Sequence, residues 1–364
     1  MRSLSISFLV VLWACESPIT APNGFIEIES NHFDHPQALV FVGDRIIVGN
    51  TGYDANEWRP GGLLVIDVET LSVTAPHPTA RQNPQRLLVE GERLFVVETG
   101  TIDFSDFENP QVGTPGAVEI FSLDVDGLGE SAEFIELSVA PVDLAVRDGR
   151  GVVSSALEPV VWGLDLQDLS RSSSISGPHP LTPSRDLGLG SVRPWRDGFV
   201  SVDFNSDYAH LLDEKGVPNG CSIDLGSSET VEGAQSPWVE GDDLYVIMAL
   251  SGVVRRVDLA ALSIDCSTSV DTVVTDLGQI PNDLHIRGDL LYVVHSGDNN
   301  VVEYSVKDGT EQRRYVLPRG ANPWHAAFST DGRYLAVTEW DGQGLSIFDL
   351  DSGVRRRVGA QTAD

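Results

Sequence analysis

Apolar residues in this chain come in short runs, and Gly, Asp and Asn separate them. The stretch Ile280 to Val306 shows the pattern best. Leu284, His285 and Ile286 lead into the polar turn Arg287-Gly288-Asp289, and Leu290 to Val294 is a β-branched and aromatic run. Ser296-Gly297-Asp298-Asn299-Asn300 breaks that run, and Val301 to Val306 resumes it. Short strands alternating with such turns predict an antiparallel meander. One small sheet of this kind cannot bury both of its faces, so a single copy would not be stable.

The unit repeats. Its turn glycine recurs at Gly43, Gly91, Gly149, Gly198, Gly241, Gly288 and Gly332, in steps of 48, 58, 49, 43, 47 and 44 residues. A hydrophobic strand follows each turn, as in Ile46-Ile47-Val48, Leu94-Phe95-Val96-Val97 and Tyr334-Leu335-Ala336-Val337. A third strand often ends in aspartate, at Asp67, Asp124, Asp165, Asp258 and Asp349. Periods of this length built from short strands indicate a propeller. The expected fold is all-β: a seven-bladed β-propeller of four-stranded blades. Phe25-Ile26-Glu27-Ile28-Glu29 alternates apolar and polar. It is expected to pair with the last blade, near Leu345 to Leu350, and so close the ring and cover sticky edges.

Leu291-Tyr292-Val293-Val294-His295-Ser296-Gly297-Asp298-Asn299-Asn300-Val301-Val302 resembles the YVTN-type β-propeller repeats of bacterial surface and periplasmic proteins. The family motif has Asn where this unit has His295; Asn50 keeps it in the first unit. The resemblance runs from about Pro36 to Leu350 and implies the fold. It implies little about activity, because one fold hosts many functions.

The chain has 364 residues, a formal charge of -30 and 41% hydrophobic residues. Length alone would suggest two domains, but one ring of seven blades accounts for it. So acidic a chain is not expected to bind nucleic acid, which needs a basic surface; the acidity suits solubility in a salty or extracellular medium. Residues 1–14 read as a secretory signal, with basic Arg2 and an apolar run too short to span a bilayer. Leu12-Trp13-Ala14-Cys15 resembles a bacterial lipobox, although Trp13 is unusual there. That resemblance implies lipidation at Cys15, a membrane anchor through the amino terminus and, with Glu16 next, outer-membrane sorting in a Gram-negative envelope; the alternative is an ordinary cleaved signal. Residues 15–24 would be a tether, 25–358 the propeller and 359–364 a tail. In such an oxidising compartment Cys221 and Cys266 are expected to form a disulfide between outer strands of neighbouring blades. A monomer is expected.

Propeller topology decides which loops meet. Each innermost strand starts on one face, here termed the top, and the loop after the second strand returns to it. Two long insertions, Thr51 to Gly62 and Gly100 to Gly116, therefore share the top face with the blade entrances. Those entrances read His35-Pro36-Gln37, Asn83-Pro84-Gln85-Arg86, Pro141-Val142-Asp143, Pro194-Trp195, Gln235-Ser236-Pro237-Trp238, Pro281-Asn282-Asp283 and Asn322-Pro323-Trp324-His325. The ligand- or partner-binding candidates are His35, Gln37, Arg86, Asp143, Trp195, Trp238, Asp283, Trp324 and His325. His35, His285 and His325 are candidate ligands for a metal at the channel mouth. The alternative is three hydrogen-bonded inner-strand residues. Asp103, Asp106 and Glu108, or Asp124, Asp126 and Glu130, offer oxygens suited to calcium; the second group also reads as a plain turn. Trp195, Trp238 and Trp324 suit a sugar- or peptide-binding lining, or wedge packing between blades.

No linear catalytic signature is present. The expected function is a binding or scaffold propeller, exported or envelope-anchored, that takes an envelope protein or a small ligand on the top face. One alternative is a lactonase-like propeller hydrolase with a divalent metal. Another is a redox accessory protein holding a metal through the three histidines.

Overall fold

The computed structural model describes residues 25–360 apart from 55–56, 104, 106–109, 125–126, 138–139, 168–174, 183–189 and 228–229. The chain forms a seven-bladed β-propeller. Blade 1 comprises Pro36–Val42, Arg45–Asn50, Gly62–Asp67 and His77–Pro78, from the channel outwards. The innermost strands of blades 2 to 7 are Pro84–Glu90, Pro141–Arg147, Gly190–Trp195, Ala234–Glu240, Pro281–Arg287 and Pro323–Phe328.

The second strand of each blade is an unbroken apolar run because both of its faces are covered. In blade 1, Ile46, Val48, Leu64 and Ile66 pack against Ala336, Leu345 and Ile347 of blade 7. Ile47, Leu63 and Val65, one residue out of phase, pack against Leu87, Leu94 and Val96 of blade 2. The same division recurs between every pair of neighbours, so the hydrophobic interior consists of seven cores lying between blades. Burial at about 25 cal/mol per Å² thus stabilises a blade only beside its neighbours.

Turn chemistry fixes the unit. Gly43, Gly91, Gly241 and Gly288 adopt φ between +57° and +62° with open space where a Cβ would point. The preference for glycine there comes from the backbone alone. The aspartates that end third strands cap the next turn: Asp67 accepts from Thr70 N at 2.7 Å and Asp349 from Ser352 N at 2.9 Å. Asp258 instead caps the short helix Leu259–Asp265 through Ala261 N at 2.9 Å.

The strand Phe25–Glu29 pairs with the last blade, as expected, and closes the ring; its neighbour is a different strand of that blade. It pairs in parallel with Arg355–Gly359, the outermost strand of blade 7, so Leu345 to Leu350 lies one strand further in. Blade 7 supplies its own fourth strand, and the amino-terminal strand becomes a fifth. Fully buried Arg357 clamps the seam: Nε donates to Glu339 Oε2 at 2.8 Å and Nη1 to Glu27 Oε1 at 2.6 Å. The Cys221–Cys266 disulfide is present. It links the outer strand of blade 4, Pro218–Asp224, to the helix cap after the third strand of blade 5, rather than to that blade's outer strand Val270–Val274. The segments read as signal, Cys15 and tether lie outside the described residues, as do 361–364.

Candidate functional site

The top of the channel is built by a repeated backbone device. In five blades the innermost strand opens with a left-handed residue followed by proline: His35-Pro36, Asn83-Pro84, Ala140-Pro141, Ile280-Pro281 and Asn322-Pro323. A register shift then follows within the strand, as between Pro36 and Ala38, Pro84 and Arg86, Pro141 and Asp143, and Pro281 and Asp283. Non-glycine residues at positive φ are costly, and bulges re-aim side chains beside functional sites. Here the bulge places Gln37, Gln85, Val142 and Asn282 on the wall of one cavity. Ser191 and Ser236 complete the ring from blades 4 and 5, and Trp324 from blade 7.

The cavity holds about 550 Å³. The connections after second strands add the aromatic part of its wall: Trp58 in the first insertion and Trp340 in blade 7, where Trp340 lies 5.7 Å from Trp324. Hydroxyls join blade to blade beneath it. Thr99 donates to Pro141 O at 2.7 Å, Ser154 to Gly190 O at 2.7 Å, Ser296 to Pro323 O at 2.6 Å and Thr338 to Gln37 O at 2.9 Å.

Two aspartates at equivalent positions tie neighbouring blades. Asp143 accepts from its own next amide, Leu144 N, at 2.9 Å and from Val192 N of blade 4 at 3.1 Å. Asp283 does the same with Leu284 N at 3.0 Å and Ala326 N of blade 7 at 2.9 Å. Asp143 also takes Arg193 at 2.6 Å and has Arg86 Nε at 3.3 Å. Asp283 takes His285 Nε2 at 2.9 Å. Burial alone would raise the pKa of Asp283, but His285, His325 and the amide of Ala326 hold it well below the usual carboxylate range. Burial and the nearby Arg193 lower the pKa of Arg86. His325 is pushed below its ordinary value, first by burial and then by Arg86, against the pull of Asp283. Its Nδ1 faces Gln37 O at 3.2 Å; a carbonyl only accepts, so Nδ1 carries the proton and Nε2 keeps its lone pair.

Of the residues read from sequence, Gln37, Arg86, Asp143, Asp283, Trp324 and His325 meet in this cavity. Three do not. His35 lines a second, open cavity of about 560 Å³ with Asp34, Arg59 and Gln343. Trp195 lies at the far end of its strand; the blade 4 entrance is Gly190-Ser191, four residues before Pro194. There its indole donates to Asp242 at 3.0 Å and packs under Arg196. Trp238 packs against His285, 5.1 Å away, between blades 5 and 6. The histidine triad does not assemble either: His285 is held between Asp283, Trp238 and Phe328, away from His35. Among the described residues, no three His, Cys, Asp or Glu side chains are grouped to hold a metal ion. Asp106, Glu108 and Asp126, needed for the calcium readings, lie outside the described residues.

No family model and no curated protein matches this sequence. Solved structures do match the fold. A periplasmic gluconolactonase from Pseudomonas aeruginosa is 19% identical, with a TM-score of 0.62 over 88% of this chain and 95% of that one. A streptogramin B lyase structure is 12% identical, with a TM-score of 0.63 over 86% and 93%. A putative 6-phosphogluconolactonase from Bacteroides uniformis is 14% identical, with a TM-score of 0.62 over 87% and 97%. The likeness is one of fold.

The wall also contains residues that sequence reasoning did not single out: Trp58, Gln85, Ser191, Arg193, Asn282 and Trp340. For Gln85 and Asn282 a signal existed, since each directly follows an X-Pro step whose first residue is left-handed. Arg193 had none; its position follows from the true start of the blade 4 strand.

Proposed function

We propose that this chain is an exported, lipid-anchored propeller of YVTN type that binds a small polyhydroxylated ligand at the top of its channel. One observation carries the reading. Five blades each turn an amide or hydroxyl side chain, Gln37, Gln85, Ser191, Ser236 and Asn282, towards a cavity that also presents the indoles of Trp58, Trp324 and Trp340. Amides and hydroxyls match the donor and acceptor pattern of a polyol, and indole faces match its C–H surfaces. A volume of about 550 Å³ suits a small molecule. The test is titration calorimetry and tryptophan fluorescence against a panel of monosaccharides and sugar acids. Trp324→Ala should abolish a saturable response while leaving the unfolding transition in place. A panel in which nothing binds the native protein would refute the reading.

A second reading, a lactonase-like hydrolase, is favoured by the fixed tautomer of His325 and by the presence of lactonases among the structural neighbours. The neutral imidazole would use Nε2 as a general base. The donors for a divalent metal are not assembled among the described residues, so no step is routed through one. With a sugar lactone as substrate, His325→Ala should remove hydrolysis. The native rate should rise with pH through a pKa below the ordinary histidine value and then level off.

A further inference from the structure

The molecule carries 54 acidic and 24 basic side chains, so an arginine rarely needs to share a carboxylate. Arg86 shares one at the centre of the channel. Asp143 already accepts from Leu144 N, Val192 N and Arg193, and these use both of its oxygens. Arg86 stands 3.3 Å away at an angle that leaves its Nε without a hydrogen bond. Among the described residues Asp143 is its only ion-pair partner, while Asp283 acts on it at longer range. The other acid on the cavity wall, Asp283, is taken by His285 and by the amides of Leu284 and Ala326. Two guanidiniums therefore face one carboxylate, and the fork of Arg86 borders the cavity. A guanidinium holds five N–H donors in a plane that matches carboxylate and phosphate oxygens.

We infer that Arg86 anchors an oxyanion, a carboxylate or a phosphate, carried by the polyhydroxylated ligand. The inference rests on the cavity being the ligand site, as proposed above. It adds that the preferred ligand is a sugar acid or sugar phosphate rather than a neutral sugar. The bound anion would give Arg86 the hydrogen-bonded oxygens that Asp143 does not, in a place where water cannot screen the charges fully.

The experiment compares D-gluconate, a hexose phosphate and D-glucose by calorimetry at constant ionic strength, on native protein and on Arg86→Gln, Arg86→Lys and Arg196→Gln. Binding of gluconate or of the phosphate, at least about tenfold tighter than glucose and weakened at least about tenfold by Arg86→Gln, supports the inference; which of the two binds identifies the source of the oxyanion. Arg86→Lys should recover part of the loss, and Arg196→Gln, on the far face, should bind as native. Comparing the three ligands on native protein needs no variant to fold. Glucose bound as tightly as the anions, with no effect of Arg86→Gln, overturns the inference and leaves the polyol site standing. Absence of binding by all three overturns both.

Discussion

Glu98 offers the sharpest test of the packing described here. It ends the second strand of blade 2 and is completely buried. At the matching place in blade 7, Glu339 is given a guanidinium by Arg357. Among the described residues Glu98 has no cation. Arg81 N donates to its Oε1 at 3.1 Å, while Oε2 has no hydrogen-bond partner and the carboxyl group of Glu119 lies close by. Burial, then the charge of Glu119, raise its pKa from 4.5 to about 8. The folded protein therefore binds a proton here that the unfolded chain releases, and stability falls as pH rises from 4.5 to 8. The slope for one such group is about 1.4 kcal/mol per pH unit. Between pH 7 and 8 histidines with the ordinary pKa of about 6.5 are mostly neutral, so that window largely isolates the glutamate, and the native protein should lose about 1 kcal/mol across it. Glu98→Gln keeps the shape and removes the titration. Urea unfolding at several pH values should show a declining free energy for the native protein and a flat one for the variant, with the variant the more stable at pH 8. An unchanged slope in Glu98→Gln would refute the argument, as would a variant weaker than native at pH 8.

Other outcomes follow from the same contacts. Replacing Cys221 and Cys266 by Ser opens a loop with a sequence separation of 45; by loop entropy this should cost about 4 kcal/mol, read as a lower urea midpoint. Arg357→Met leaves Glu339 buried without its cation and should cost about 3–5 kcal/mol, whereas Glu27→Gln, at the partly exposed end of the clamp, should cost about 1 kcal/mol or less by the same denaturation assay. Burial lowers the pKa of His210 and His295 to about 4, so each should withdraw about 1.4 kcal/mol of stability per pH unit as pH falls from 6.5 to 4. His295→Asn should remove one of those two contributions, which a urea series on the acid side would detect.

The fold was legible because its repeat is enforced by packing. Every second strand is covered on both sides, so each must be apolar throughout, and the strand after each turn announces itself. Blade 4 was misaligned for a physical reason. Its hairpin turn is Arg196-Asp197, with Arg196 at φ 46°, and Gly198 is the first residue of the second strand. The glycine used to set the register sits outside the turn in that blade, and Pro194-Trp195 was mistaken for an entrance when it lies at the far end. The closing strand was assigned to the correct blade but to the wrong neighbour. Ile26 and Ile28 are substantially exposed, so its alternation marks an edge strand and says nothing about which strand lies beside it.

The site was legible only as far as strand starts were. Gln37, Arg86, Asp143, Asp283, Trp324 and His325 could be placed because the innermost strand of a propeller must begin at the channel mouth. At a bulge two successive residues reach the same cavity wall, as Gln85 and Arg86 or Asn282 and Asp283 do, and beyond it the ordinary alternation of a strand resumes. Trp238 and His285 lie in that later part of their strands and turn into the core between blades. The left-handed residue before proline is the missing sign. It prepares the bulge in five blades, and where it occurs the next residue but one lines the cavity. The register of X-Pro steps, rather than the chemistry of single histidines, locates the cavity at the top of this propeller.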